Sequence, residues 1–225
     1  MKEKLVNPDW EFQIDMNDGS SSCLIIENPF VLRNTIMGLL KQSKGENGDF
    51  VLSNEKKQLD IQEQLVVITD PLNVDPSSKR ISNAITQQIK DIIVSPDFYK
   101  DANDLVSHME RFADNIEDTY RLNVSHQDYE ISNLYKVLNI QLQVEYEDEL
   151  ERIMEFMNVH HDVCGIDCFV FVSLFSYFSE EELNTLVREA TSNKHNILFL
   201  EGHEPDFIPD QTRKIIIDKE ACQLF

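Results

Sequence analysis

The chain has 225 residues, with 41 Asp and Glu against 20 Lys and Arg, so its formal charge is −21. A hydrophobic content of 41 % with 13 Phe marks a globular chain with one large domain or two small ones, and only 6 Gly and 7 Pro exclude a collagen-like or low-complexity one. The acidic balance argues against a surface that binds nucleic acid or anionic membrane all over, and leaves only a local basic face for such a partner.

No run of about 18 apolar residues is present, so no membrane span is expected. Met1-Lys2-Glu3-Lys4 leads into Pro8, Asp9 and Trp10 rather than an apolar leader. The expectation is a cytoplasmic protein whose four cysteines (Cys23, Cys164, Cys168, Cys222) are reduced.

In chain order, Trp10–Ile14 alternates apolar and polar, the period of a half-buried strand. Asp18-Gly19 then turns the chain into Ser22–Glu27, which reads as a hairpin. Asn28-Pro29 reads as an N-cap with Pro at the first helical position, and Phe30 to Leu40 carries that helix to the Gly45–Gly48 breaker. Phe50-Val51-Leu52 and Leu65–Ile68 are short apolar runs, the second with the uninterrupted look of a central strand.

From 72 to 162 the pattern turns helical. Ile81, Ile85, Ile89 and Ile92 recur until Ser95-Pro96; Leu105, Met109, Phe112 and Ile116 mark a second helix; Ile131, Leu134, Tyr135 and Leu138 a third; Leu150, Ile153, Met154 and Met157 a fourth. Strand character returns with Cys168–Ser173. Ser179-Glu180-Glu181-Glu182 is a capping box that opens a helix buried through Leu183, Leu186, Val187 and Ala190. Asn196–Glu201 and Lys214–Asp218 are further strands, in a spacing that favours parallel crossovers. The expected architecture is an α/β sheet domain built from residues 1–71 and 163–225, with an all-helical domain, 72–162, inserted between.

Such a sheet invites a search for a phosphate loop, yet Gly-x4-Gly-Lys-Ser/Thr is absent. The turn after Ile26 is Glu27-Asn28-Pro29-Phe30, where a carboxylate repels phosphate and Pro29 removes an amide. His160-His161-Asp162-Val163-Cys164 with Cys168 is the densest metal-capable string, but its spacing is not that of a zinc site. It reads as a helix end followed by a strand that begins on a buried Cys. Glu55-Lys56-Lys57 with Asp49 upstream has the acid-x-Lys form used by some metal nucleases and equally that of a solvated hairpin tip. For a hard cation, Asp114, Glu117 and Asp118 with Asp128 and Glu130 converge if the helices fold back, calcium being the ion that gathers many oxygens. The acid-rich stretch Glu145–Glu155 reads as a solvated helix face. The cations are few: Lys79-Arg80 opens the helical insertion, Lys90 follows about three turns on, Lys56-Lys57 sits on the hairpin, and Lys136 on the third helix. Each alone is a solubilising charge, whereas in an oligomer symmetric copies multiply any cluster.

Taken together, several strings resemble the small ring-forming Csn family of type II-A CRISPR loci. They are Phe169–Ser173, Phe178-Ser179-Glu180-Glu181-Glu182-Leu183, Ile197–Glu201, Leu65–Asp70 followed by Val74-Asp75-Pro76-Ser77-Ser78, and Leu134-Tyr135-Lys136-Val137-Leu138-Asn139-Ile140. The resemblance implies a RecA-like, P-loop-like head that has lost its phosphate loop, with a helical leg. It also implies a homotetrameric ring with calcium between head and leg, and no catalytic residues. Such a ring binds ends of double-stranded DNA in a positively lined hole, and works with the CRISPR integrase complex and the RNA-guided effector nuclease during spacer acquisition in antiviral defence. Lys136 falls on a matching Lys. Asn123, Ser125 and Gln127 stand where the family carries acids and Asp128 alone matches, a departure that weakens the calcium expectation. The resulting expectation is a non-enzymatic, DNA-end-binding ring whose DNA contacts come from Lys136, Lys79, Arg80, Lys90, Lys56 and Lys57. Its rivals are an acidic scaffold that recruits basic partners, or a metal-dependent nuclease.

Overall fold

The computed structural model describes residues 3–120, 125–127 and 129–224. In chain order the elements are β1 (Lys4–Val6), β2 (Ile14–Asp15), β3 (Ser21–Ile26), α1 (Pro29–Gln42), β4 (Val51–Ser53), β5 (Gln58–Leu59), α2 (Ile61–Gln64), β6 (Leu65–Ile68), α3 (Lys79–Ile93), α4 (Tyr99–Thr119), α5 (Leu134–Leu138), α6 (Glu149–Cys164), β7 (Cys168–Val172), α7 (Glu180–Ser192), β8 (Asn196–Glu201), β9 (Thr212–Ile217) and β10 (Gln223–Leu224).

They form two compact units, one of residues 1–76 with 144–225 and one of residues 77–143. The helix at 149–164, which periodicity assigns to the 72–162 insertion, belongs to the first unit. Its Ile153, Phe156 and Met157 are buried among strand residues Phe169, Phe171 and Phe199. Helical spacing reports that a stripe is buried and says nothing of which body buries it.

The first unit holds a six-stranded sheet of order β10-β9-β3-β8-β7-β6. From β9 to β6 neighbouring strands run parallel, and β10 is antiparallel to β9. Both faces are covered, so successive side chains of one strand enter different cores. Leu24, Ile26, Val170, Leu198 and Leu200 join one cluster with α1 and a small antiparallel sheet of order β2-β1-β4-β5. Cys23, Ile25, Phe169, Phe171, Ile197 and Phe199 join the other, beneath α6 and α7. This double burial explains why the central strands read as unbroken apolar runs.

Three strand expectations are corrected. Ser21–Ile26 forms no hairpin with the segment before it; it lies parallel between β8 and β9. The Asp18-Gly19 turn does form, with positive φ at both residues. Its free donors, however, are claimed from far along the chain, since Asn196 Oδ1 accepts from the Gly19 and Ser20 amides, both at 3.1 Å. Leu65–Ile68 is an edge strand, paired on one side only with β7, and its two middle residues are half-buried. Of Trp10–Ile14, only Ile14 enters a strand.

The helix starts follow the sequence closely. Asn28 caps α1 by accepting from the Phe30 and Val31 amides at 3.0 and 3.2 Å, with Pro29 at the first position. Ser179 and Glu182 make the reciprocal capping box of α7. In the second unit, Ile93, Ala102, Val106 and Leu134 form a small core with Ile89, Met109, Ile131 and Tyr135 packed on it. No helix among the described residues is long and apolar enough to cross a membrane.

Candidate nucleic-acid interface

Charge is divided unequally between the two units. Residues 77–143 carry seven Lys and Arg against ten Asp and Glu, a net of −3, while the rest of the chain carries 13 against 31, a net of −18. An anionic polymer is repelled least where the acids are thinnest, and that is the helical unit.

Within it, Lys79 and Arg80 occupy the first turn of α3 and Lys90 its last turn, where a cation favours the carbonyl end of the helix dipole. Eleven residues are close to three helical turns, so Lys79 and Lys90 lie on the same side of α3. Lys136 comes from α5 and is exposed. The structure brings Lys90 and Lys136 together at Tyr135, whose ring centroid lies 4.8 Å from Lys90 Nζ and 5.8 Å from Lys136 Nζ. Each ammonium group is attracted to the ring by the negative face of its quadrupole. Beside them is a 390 Å³ groove lined by Ser82, Thr86, Lys136 and Asn139 on its polar side and by Ile85 and Ile140 on its apolar side. α5 ends on Asn139 in the left-handed region, φ 49°, a conformation Asn tolerates better than most residues.

Lys56 and Lys57 belong to the other unit. They sit on the β4–β5 hairpin tip, where both amides donate to Asn54 Oδ1 at 3.0 Å. Glu55 and Asp49 are exposed there, and neither is part of a metal-competent group among the described residues.

Of the carboxylates considered for calcium, the four that are described do not gather as a set. Asp114 and Glu117, one turn apart on α4, come together with His126, which sequence reasoning missed. Glu117 Oε1 lies 2.6 Å from His126 Nδ1, and Asp114 Oδ1 lies 4.0 Å from it. The hydrogen bond between them holds the Glu117 carboxyl below its ordinary range and His126 above its own. Asp118 is exposed outside this group, Glu130 accepts from Asn133 Nδ2 at 3.1 Å, and Asp128 lies outside the described residues. Two carboxylates and an imidazole do not fit calcium, which takes six to eight oxygens. Only the approach of His126 to α4 reveals this group; no local spacing signals it.

The sheet unit shows no phosphate cradle at the turn where one was sought. The Asn28 side chain occupies the first amides of α1, Pro29 supplies none, and Asn28 Nδ2 donates to Lys219 O at 2.9 Å. All four cysteines are free. Burial pushes the Cys23 thiol up to about 12 and raises Cys168 as well, which keeps both protonated and unreactive.

Fold and site together define a mixed α/β protein with a helical unit that gathers lysines. A family model for the CRISPR-associated protein Cas_Csn2 matches residues 42–221. The chain is 25 % identical over 173 residues to the CRISPR-associated protein Csn2 of Enterococcus faecalis, covering 74 % of this chain and 76 % of that protein. It is similar in fold to the crystal structure of Stu0660 of Streptococcus thermophilus, with a TM-score of 0.56 and 12 % identity over all of this chain and 76 % of that one. The chain belongs to the Csn2 family of CRISPR-associated proteins, as the strings at 65–78, 134–140 and 169–201 led us to expect.

Proposed function

We propose that this protein is a non-enzymatic, double-stranded DNA-binding ring of four copies that engages DNA ends in the cytoplasm during CRISPR spacer acquisition. It acts there with the integrase complex and the RNA-guided effector nuclease. The observation that carries the reading is the meeting of Lys90 and Lys136 at Tyr135, on the unit that holds only −3 of the chain's −21. Phosphate contacts of that kind position a protein on DNA without reading its sequence. Four copies would carry −84, four times −21, so attraction is confined to a strip where lysines are gathered.

Support for self-association comes from α4 and the residue before it. Phe98, Leu105 and Phe112 recur every seven residues with Ile116 beside them, and all four are exposed, Phe112 at 67 %. That spacing makes a continuous apolar seam of the type by which helices pair. For the head, the reading is of a P-loop-like domain without its phosphate loop. In favour of it are a first parallel strand, β3, that lies inside the sheet with later strands on both sides, and an α1 N-terminus closed by its own Asn28. Calcium is left out of the reading because the described donor set does not suit it.

A gel-shift comparison of linear and closed-circular duplexes at low salt tests the proposal. Binding of the linear form alone, falling steeply with salt, is expected; absent binding, or equal retention of both forms, overturns it. The acidic scaffold is favoured by the −18 of the sheet unit, and a monomer without DNA affinity would support it.

A further inference from the structure

His161, on the last turns of α6, and His195, in the turn that leads into β8, are 34 residues apart and meet at one end of the sheet. Their ring centroids are 5.4 Å apart and their planes inclined by 60°. His195 is only 1 % exposed, yet its Nδ1 has no hydrogen-bond partner. A buried polar nitrogen left unpaired costs about 1–3 kcal/mol, so this arrangement calls for a ligand. The Phe169 ring stands edge-on to His195 at 5.6 Å and holds it in place.

His161 is oriented from behind, because its Nδ1 is hydrogen-bonded to the Asp167 carboxylate. That contact makes Nδ1 the proton-bearing nitrogen and leaves Nε2 as the free donor, which is how a carboxylate prepares a histidine to bind a metal. Its side chain is 42 % exposed, which provides an entry path.

The ring spacing suits one shared ion. With metal–nitrogen bonds of about 2.0–2.1 Å, an imidazole centroid lies roughly 3.2 Å from the metal, so two ligands at a tetrahedral angle place their centroids about 5.2 Å apart. The observed 5.4 Å is within a few tenths of that. The charge around the pair is also favourable. Asp167 and Asp162 both lie near enough to act on the His195 ring as anions, the charge a bound cation would meet.

We propose that His161 and His195, with Asp167 orienting His161, bind a divalent d-block cation of the zinc, nickel or copper type. Imidazole donors favour these ions and not calcium or magnesium. Among the described residues no metal-capable group of three or more includes His161 or His195, so water would complete the coordination. The site is therefore exchangeable, unlike a four-ligand structural zinc.

The test uses the full chain carrying His126→Ala, which removes the Asp114–Glu117–His126 group from competition. Titration with Zn²⁺ in a non-chelating buffer is followed by calorimetry, and by long-range ¹H–¹⁵N spectra of the imidazole nitrogens. One equivalent is expected, with both the His161 and His195 ring signals shifting, and with at least tenfold weaker binding after His161→Ala. Cys164→Ser should leave it unchanged. His161 is partly exposed, and a circular-dichroism melt checks that its variant is folded. Absent saturable binding, binding indifferent to His161→Ala, or a His195 signal that does not move each overturns the proposal.

Discussion

Replacing both lysines at Tyr135, Lys90→Ala with Lys136→Ala, separates a DNA-contacting role from a structural one. The structural cost is bounded by what the ammonium groups touch. Each lies over an aromatic face at 4.8 or 5.8 Å, an interaction of about 0.5–1 kcal/mol at exposed sites. Lys90 also loses its favourable place at the end of α3, about 0.3–1 kcal/mol. The variant should therefore remain folded. For DNA the effect is larger and has a signature. Each phosphate neutralised contributes about 0.9 to the slope of log affinity against log salt, so two lysines contribute roughly 1.8 per engaged protomer. Between 50 and 200 mM salt that is roughly a twelvefold loss per engaged protomer which the parent suffers and the variant does not. Fluorescence anisotropy of a labelled linear duplex across a salt series, with a thermal melt of each protein, measures both quantities. A folded variant whose salt slope equals the parent's refutes the assignment of these lysines to phosphate.

Other consequences are open to direct measurement. Burial holds the Glu201 carboxyl up at about 7 against its ordinary 4.5, although it accepts amides from Phe175 and Leu174. The folded state thus keeps that proton to higher pH than the unfolded chain, so this group's contribution to stability is full below about 4.5 and is lost as pH rises through about 7. Urea unfolding at pH 5 and pH 8 should show Glu201→Gln flattening that fall; an unchanged pH profile would contradict it. Gly19→Ala forces a Cβ to 2.7 Å from the Thr191 backbone at φ +78°, and should cost about 1–3 kcal/mol or more in the same assay. Phe112→Ser, at an exposed site, should lower the oligomeric state seen by light scattering while the circular-dichroism spectrum of the chain stays that of the parent.

What was legible in the sequence was local. Asn28-Pro29, the Ser179–Glu182 box and the apolar runs at 168–172 and 196–201 specify their elements through neighbours in the chain, and each forms as read. Pairing is decided through space. Ser21–Ile26 takes β8 and β9 as partners because Asn196, some 176 residues away, ties down the turn before it. Leu65–Ile68 has the composition of an internal strand and an edge position, since strand order depends on where the chain returns. The site divides the same way. The lysines are visible as charges, but that two of them share Tyr135 depends on α3 and α5 packing together. His126 and His195 acquire meaning only from partners that the fold supplies.

The central claim is a ring of this chain on linear double-stranded DNA, and native mass spectrometry tests it most directly. Spectra of the intact protein, alone and with a short linear duplex, should show a species of four chain masses and a second one heavier by a duplex. A monomer that is unchanged by the duplex at low salt would contradict the account.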